Sequence, residues 1–283
     1  MFGSIRPAAV ANLFYPGDPD ELRRMLETYL TQATSCLAQS NLTEQISTHH
    51  FLQPQGNGQG SIKVIVVPHA GYIYSGQVAA HAYALIQPLA NTIKRVVLIG
   101  PAHTVYLHGA ALPQSRYFAT PLGQIGIDSD SVDMLASQQL ISVSDLPHQH
   151  EHCLEVQLPF LQHCLKEFKL IPLLIGESEP YAMAELLECL WGGQETLIVV
   201  STDLSHFHQY DEAVRLDKIT CLKILDGQGT FSPEQACGSS SLNALFPLLK
   251  RHKLCLTQLN YQNSGDTAGD KNRVVGYASF ASR

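Results

Sequence analysis

Several features that would directly identify an enzyme's chemistry are missing from this chain of 283 residues. It has no G-x-G-x-x-G fingerprint for a dinucleotide, no P-loop for a nucleotide phosphate and no H-E-x-x-H zinc motif. No apolar run approaches the ~20 residues that cross a bilayer, so we predict no membrane span. Basic residues are also few, since 18 Lys and Arg against 25 Asp and Glu give a net charge of -7. Because phosphate binding requires a basic surface, this charge argues against a nucleic-acid partner.

Cysteine is present but is not arranged in pairs. The seven cysteines are scattered and none belongs to a C-x-x-C motif, which excludes a disulfide framework or a zinc ribbon. We expect most of them to be reduced and to pack as small apolar side chains. The first residues also lack the charged start and apolar stretch of a signal peptide, so we expect a cytoplasmic protein.

The arrangement of apolar segments predicts the fold class. Hydrophobic residues make up 45% of the chain, which is ample for a large core. Short runs rich in Val and Ile, bounded by Gly or Pro, alternate with segments of helical periodicity nearly throughout. This alternation predicts one α/β domain over residues 1–283, with a largely parallel or mixed sheet flanked by helices.

The clearest helix start lies near the beginning of the chain, where Asp18 is a predicted N-cap and Pro19 takes the first helical position. The polar segment 40–60 predicts a surface loop, in which His49 and His50 are solvated. We predict strands at 63–67, 95–99, 169–175, 196–200, 254–261 and 274–280, and further helices at 75–86, 131–140, 152–168, 181–190, 211–225 and 238–250.

Three of these predicted strands, the first, second and fourth along the chain, lead directly to histidines. They are followed by His69, by His103, and by Asp203 with His206. In an open α/β sheet the carboxyl ends of the strands line the ligand crevice. Three imidazoles and a carboxylate at that edge indicate a metal site. The alternative for each histidine is a hydrogen-bonded structural role.

Two pairs of residues have a spacing of three. Asp203 and His206 would face the same side if a helix followed the strand, so that the carboxylate orients the imidazole or ligates a metal. The alternative is that Asp203 caps that helix. His152 and Glu155 have the same spacing at a predicted helix start and suit acid–base catalysis or the support of a metal site. A capping Glu beside an exposed His is the alternative there.

Cys237 differs from the other cysteines in its position. It precedes Gly238 and a predicted helix, and a thiol at a helix N-terminus has a lowered pKa and is available as thiolate. Such a group suits a nucleophile or a soft metal ligand. The alternative is a buried, inert cysteine.

Blocks of sequence spread from the first residues to the last carry a family resemblance. They are I-R-P-A-A-V at 5–10 with F-Y-P-G-D at 14–18, V-P-H-A-G-Y-I-Y-S-G at 67–76, G-P-A-H at 100–103, H-C-L-E-V-Q-L-P-F-L at 152–161, S-T-D-L-S-H at 201–206, and N-S-G-D at 263–266 followed by R-V-V-G-Y at 273–277. Each block alone is weak, but together they resemble the Memo family. Two positions depart from that family: Cys153 stands where Ser is expected, and Asn12 where Gly is expected.

The resemblance implies a fold related to the class III extradiol dioxygenases, which are non-heme iron enzymes. It also implies a metal site of two His and one Cys, which maps to His69, His103 and Cys237, with Asp203 and His206 beside it. Iron or copper, with zinc as a further choice, and a redox role are implied for this site. The family further implies an adaptor role that recognises a peptide, and a functional link to AMMECR-type and radical-SAM proteins.

These observations support three hypotheses of function. The first is a metal-dependent oxidoreductase that binds Fe(II) or Cu and a small molecule or peptide at the strand ends, with Asp203, His206, His152 and Glu155 handling protons or orienting ligands. The second is a binding module without turnover, either an adaptor or an iron- or copper-sequestering protein. The third is a hydrolase that uses Cys237 as nucleophile together with His206 and Asp203. A His2Cys set is softer than the two-His-one-carboxylate set of iron oxygenases, so dioxygenase activity is not transferred with the fold.

Overall fold

The computed structural model describes residues 4–40, 62–227 and 229–282. The predicted surface loop, with His49 and His50, lies outside these residues apart from its first position. The helices are α1 (Pro19–Gln39), α2 (Tyr72–Ile86), α3 (Ser129–Leu135), α4 (Leu158–Cys164), α5 (Pro180–Glu188), α6 (Tyr210–Leu225) and α7 (Ser239–Arg251). The strands are β1 (Ile5–Arg6), β2 (Val64–Val67), β3 (Arg95–Pro101), β4 (Ala110–Leu112), β5 (Tyr117–Thr120), β6 (Gly123–Gly126), β7 (Ile141–Val143), β8 (Lys169–Ile175), β9 (Thr196–Ser201), β10 (His206–His208), β11 (Leu256–Asn263) and β12 (Val274–Ser282).

Parallel strands in the order β2, β9, β3, β8 form the centre of the main sheet. Strand β12 pairs antiparallel with β2 on one side, and β4 pairs antiparallel with β8 on the other. The sheet continues from β12 to β10 and β11, and from β4 to β7. A smaller sheet has the order β1, β5, β6. The predicted α/β class with a mixed sheet is confirmed.

The central strands are apolar at nearly every position between their ends, because both faces of the sheet are covered. In β2, Val64 and Val66 belong to one buried cluster, whereas Ile65 and Val67 belong to the other. Helices α1, α2 and α4 contribute to the cluster of Ile65, and α5, α6 and α7 to that of Val64. Side chains of a strand alternate between faces, so one strand contributes to both cores. This explains why the strands appear in the sequence as continuous Val and Ile runs.

The first helix begins where the sequence predicts it. The Asp18 side chain accepts hydrogen bonds from the backbone N–H groups of Asp20 and Glu21, and Pro19 occupies the first turn. The buried side chains of α1 recur at helical spacing and face α2: Leu22, Leu26, Leu30, Ala33 and Leu37. None of the helices in the described residues combines the length and apolarity that crossing a bilayer requires.

Several predicted bounds are corrected by local hydrogen bonding. Helix α2 begins at Tyr72 rather than near 75, because the Gly71 carbonyl already accepts from the backbone N–H of Ser75. Helix α4 begins at Leu158 with Pro159 in its first turn, so this proline starts the helix rather than kinking it. The bounds of β8 are as predicted, whereas α3 ends at 135 instead of 140, and β11 and β12 extend to 263 and 282.

The backbone conformation of Asn12 shows why asparagine can replace the glycine expected at this position. Its φ is +64°, a left-handed conformation that favours Gly and tolerates Asn, and its Oδ1 accepts from the backbone N–H of Gly17. We expect Asn12→Gly to change the free energy of unfolding little. Asn12→Ala should lower it by about 1–2 kcal/mol, because alanine keeps the strained Cβ at this φ but loses the side-chain hydrogen bond to Gly17 that offsets the strain in asparagine. Urea unfolding of both variants checks this, and equal stability of the two would contradict it.

Candidate metal centre

The carboxyl ends of three neighbouring strands position the centre of the site. His69, Asp203 and His103 each follow the last residue of β2, β9 and β3, respectively, by two positions. Because these strands are parallel and adjacent, the three residues meet at one edge of the sheet. This is the edge at which open α/β sheets bind ligands.

Three histidine rings pack against one another at this edge. The ring centroids of His69 and His103 lie 5.2 Å apart, those of His69 and His152 5.4 Å, and those of His103 and His152 4.9 Å. One nitrogen of each ring lies within 4.8 Å of the other two, which could hold a metal ion. His69 is buried, whereas the His103 side chain is 31% exposed. The cluster is therefore closed toward the sheet and open to solvent at His103.

The Glu151 carboxylate contacts two of these rings on their Nδ1 side. Its carboxylate lies 2.9 Å from His103 Nδ1 and 3.2 Å from His152 Nδ1, and it also accepts from the backbone N–H of His103. Burial alone would raise the pKa of this carboxyl, but the hydrogen bonds from His103 and Cys153 outweigh burial and lower it to about 2. Glu151 is thus an anion that engages both Nδ1 atoms. The Nε2 atoms of the two rings remain for a ligand.

The third ring belongs to His69, whose side chain contacts Ser201 and whose backbone contacts Asp203. His69 Nδ1 lies 3.0 Å from Ser201 Oγ, and the His69 backbone N–H donates to Asp203 Oδ1 at 2.7 Å. Burial is the main reason why the pKa of His69 lies well below its usual value, and His103 and His152 lower it further. His69 is therefore neutral, which is the form of histidine that binds a metal.

Cys237 reaches the cluster from the segment before α7. Its Sγ lies 3.2 Å from His69 Nε2 and accepts from the backbone N–H of Asp203 at 3.3 Å. Gly238 permits this approach, since a Cβ there would lie only 2.7 Å from the Thr202 side chain. The predicted lowering of the thiol pKa is wrong, because burial raises the pKa of Cys237 to about 12. Desolvation outweighs the position near a helix N-terminus.

Asp203 and His206 lie beside the cluster, but no helix follows β9 directly to align them. The chain after β9 stays irregular, and His206 opens β10, which pairs with β12 at Val275. Asp203 therefore caps no helix and instead accepts from the backbone of His69. Burial raises the pKa of Asp203 to about 7, and the backbone hydrogen bonds offset burial only in part. Burial also lowers the pKa of His206.

Glu155 belongs to neither group of metal-capable side chains in the described residues. The side chain is fully buried. Its carboxylate accepts hydrogen bonds from the Arg6 guanidinium, the backbone N–H groups of Ala9 and Val10, and the Tyr15 hydroxyl. These partners all belong to the N-terminal segment, so Glu155 anchors that segment to the loop that carries His152.

Cys153 forms part of a second group of metal-capable atoms with His103 and Glu151. Its thiol donates to the Pro101 carbonyl at 3.1 Å, and burial raises its pKa well above the usual value. Cys153 is therefore a protonated donor that supports the loop of His103. A serine hydroxyl would donate to the same carbonyl, which is why this departure from the family leaves the three-histidine cluster unchanged.

The structure thus brings together most of the residues that the sequence singles out. His69, His103, Cys237 and Asp203 meet at the predicted edge, and His152 joins them as a third ring rather than as a partner of Glu155. Sequence reasoning missed the side chains that orient these rings: Glu151, Ser201 and Gln157. Their only signal is that they lie within or beside the blocks that carry the family resemblance.

The donor set fits a transition-metal ion. Imidazole nitrogens with a thiol nearby suit Zn, Cu and Fe and do not suit Mg or Ca. The Nδ1 atoms of His69, His103 and His152 each have an oxygen partner within 3.2 Å. For His69 and His103 this contact is a hydrogen bond, which is the arrangement that fixes the orientation and tautomer of metal-binding histidines in general.

A mixed α/β sheet with a histidine-rich, metal-capable centre at its strand ends defines the class of protein. The chain belongs to the family described as Memo-like protein, which matches residues 6–281. A MEMO1 family protein of Sulfolobus acidocaldarius is 32% identical over 289 residues, covering 97% of this chain and 98% of the relative. A MEMO1 family protein of Methanopyrus kandleri is 32% identical, covering 98% of this chain and 99% of the relative. An uncharacterized protein of Escherichia coli K12, known from a crystal structure, superposes with a TM-score of 0.49 and 11% identity over 77% of this chain and 99% of its own.

Proposed function

We propose that this protein binds one iron or copper ion at the three-histidine cluster and uses it in redox chemistry on a small molecule or peptide held at the strand ends. The observation that carries the proposal is that three imidazole nitrogens lie within 4.8 Å of one another. The Nδ1 atom of each ring also has an oxygen atom within 3.2 Å. When bound, such an ion supplies electron-transfer or oxygen chemistry.

Four side chains are the proposed ligands. His69 and His103 are common to the cluster and to the set that the family resemblance implies. The third ligand is either His152 or Cys237. His152 completes the group of three nitrogens, whereas Cys237 Sγ lies 3.2 Å from His69 Nε2. A thiolate ligand would favour Cu(I), Fe or Zn. Zinc is the alternative metal if the site has no redox role.

Asp203 is the proposed proton carrier of the site. Its carboxyl is buried beside His69 with a pKa of about 7, so it gains or loses a proton close to neutral pH, as a general acid or base requires. The exposed edge of His103 is the route by which a substrate reaches the cluster. The role proposed for Glu155 is to support the loop that carries His152, because its oxygens are engaged by the N-terminal segment.

Metal loading of ligand variants tests the proposal. We expect anaerobically purified protein to bind about one Fe(II) or Cu(I) per chain after chelator treatment and reloading, measured by mass spectrometry and by titration. His69→Ala and His103→Ala should abolish stoichiometric binding. Comparing His152→Ala with Cys237→Ser identifies the third donor as the variant with the larger loss of affinity. The control is His108→Ala, which removes an exposed histidine on the same loop as His103.

The outcomes separate redox activity from sequestration. Metal-dependent oxygen consumption with ascorbate, above that of the free ion and absent in Asp203→Asn, would support redox chemistry. Tight stoichiometric binding without such consumption would favour the iron- or copper-sequestering alternative. Equal and negligible metal content in wild-type protein and His69→Ala under all loading conditions would overturn both.

The hydrolase hypothesis has less support. The residue that contacts the Cys237 thiol is His69 rather than His206, and burial raises the thiol pKa to about 12. A nucleophilic cysteine requires the opposite shift. We therefore do not propose it.

A further inference from the structure

A chain of hydrogen bonds connects the Pro68 carbonyl to the His69 ring through Gln157 and Ser201. Gln157 Nε2 lies 2.8 Å from Pro68 O and 2.9 Å from Ser201 Oγ. Ser201 Oγ in turn lies 2.7 Å from Cys153 O and 3.0 Å from His69 Nδ1. The side chains of Gln157, Ser201 and His69 are at most 2% exposed, so bulk water does not replace these partners.

The two carbonyl groups fix the direction of every bond in this chain, because a carbonyl oxygen only accepts. Pro68 O requires the NH2 side of the Gln157 amide to face it, and the second hydrogen of that NH2 group points to Ser201 Oγ. Cys153 O takes the one hydroxyl hydrogen of Ser201. The hydroxyl oxygen then has a single lone pair left, and His69 Nδ1 must donate its N–H to it.

We infer that Gln157 and Ser201 are positioning residues that hold His69 as the Nδ1–H tautomer, with the lone pair of Nε2 directed at the metal centre. This Nε2 atom is the one that faces Cys237, so the thiol donates to it. A neutral amide and a hydroxyl thus do at His69 what the Glu151 carboxylate does at His103. The tautomer depends on the hydrogen bonds alone, and its effect on metal affinity rests on the proposed function.

The tautomer itself is measured directly. Long-range proton–nitrogen spectra of chelator-treated protein labelled with nitrogen-15 histidine, recorded at about pH 8, distinguish a protonated ring nitrogen from one with a lone pair. The His69 signals are assigned by their loss in His69→Gln. We expect a protonated Nδ1 and an unprotonated Nε2 in the wild-type protein. A proton on Nε2 would overturn the inference, whatever any variant shows.

Ser201→Ala removes the acceptor of the Nδ1–H group. We expect the His69 proton to redistribute onto Nε2, and Fe(II) affinity to fall about 10- to 100-fold, as when the partner of a metal-binding histidine is lost. Ser201→Thr keeps the hydroxyl and should restore both the tautomer and the affinity. A purely structural role of Ser201 would lower stability without moving the nitrogen signals, and that result would overturn the inference.

Tyr83→Phe is the matched control within the same buried network. The Tyr83 hydroxyl donates to Gln157 Oε1 at 2.9 Å, but the Pro68 carbonyl still fixes the amide after its removal. We therefore expect Tyr83→Phe to lower stability while His69 remains the Nδ1–H tautomer. If the nitrogen signals follow these expectations but no variant binds metal, the proposed function fails and the inference on the tautomer stands.

Discussion

Arg6→Met should lower the free energy of unfolding by about 3–5 kcal/mol, the usual loss when one partner of a buried ion pair is removed. Arg6 is 4% exposed, and its guanidinium donates to Glu155 Oε2 at 2.5 Å and to the backbone carbonyls of His148 and Glu151 at 2.7 Å each. The methionine would leave the Glu155 carboxylate buried without its cation and two carbonyls without a donor. Urea unfolding of chelator-treated protein measures the change.

Two further variants separate the charge from the loss of packing. Adding Glu155→Gln to Arg6→Met should recover part of the lost stability, because no unpaired charge remains buried. Arg23→Met is the matched control, since Arg23 makes an exposed ion pair with Asp20 and such pairs contribute about 0.3–0.5 kcal/mol. A change below about 1 kcal/mol for Arg6→Met would contradict the prediction.

Most of the strands that the sequence predicts are marked by a run of mainly apolar residues. In β8 every residue after the exposed Lys169 is buried, so both the bounds and the type of this element can be read from the local sequence. The short strands β1, β7 and β10 have no such run, and they exist because a neighbour pairs with them. His206 lies in β10 because β12 offers a partner at Val275. This contact joins residues that are far apart in the sequence.

No helix begins directly after β9, for a related reason. Ser201, Thr202 and Asp203 are good N-cap residues, but tertiary partners take up their side chains. Asp203 accepts from the backbone of His69, and the Thr202 hydroxyl accepts from the backbone N–H of Gly238. Local capping signals were therefore present, but they were satisfied by other segments of the chain.

The candidate site was predictable to the extent that it depends on strand ends. His69 and His103 follow from the order of parallel strands, whereas the contact of Cys237 with His69 depends on how the segment before α7 packs. The sign of the Cys237 pKa shift was mispredicted because the local sequence shows a helix start but does not show burial. Glu151 carries no spacing signal at all, since its two imidazole partners lie on different loops.

Glu151→Gln is the second change with a large expected effect, and it acts on both stability and metal binding. The carboxylate accepts from the side chain and backbone of His103 and from the backbone N–H groups of His152 and Cys153. A glutamine replaces one oxygen by an NH2 group, so donors that faced that oxygen lose their acceptor. Each buried donor left unpaired costs about 1–3 kcal/mol, which urea unfolding of chelator-treated protein should detect.

The same substitution should weaken Fe(II) binding by about 10- to 100-fold, because the His103 ring loses the anion that fixes its Nδ1–H and raises the basicity of Nε2. Glu177→Gln is the control: this exposed carboxylate accepts from the Tyr106 hydroxyl near the loop of His103. It should change stability by less than about 0.5 kcal/mol and leave metal affinity unaltered. If Glu151→Gln bound Fe(II) as tightly as the wild type, His103 would not depend on this carboxylate. The support of the cluster would then rest on Ser201 and the packing of the rings.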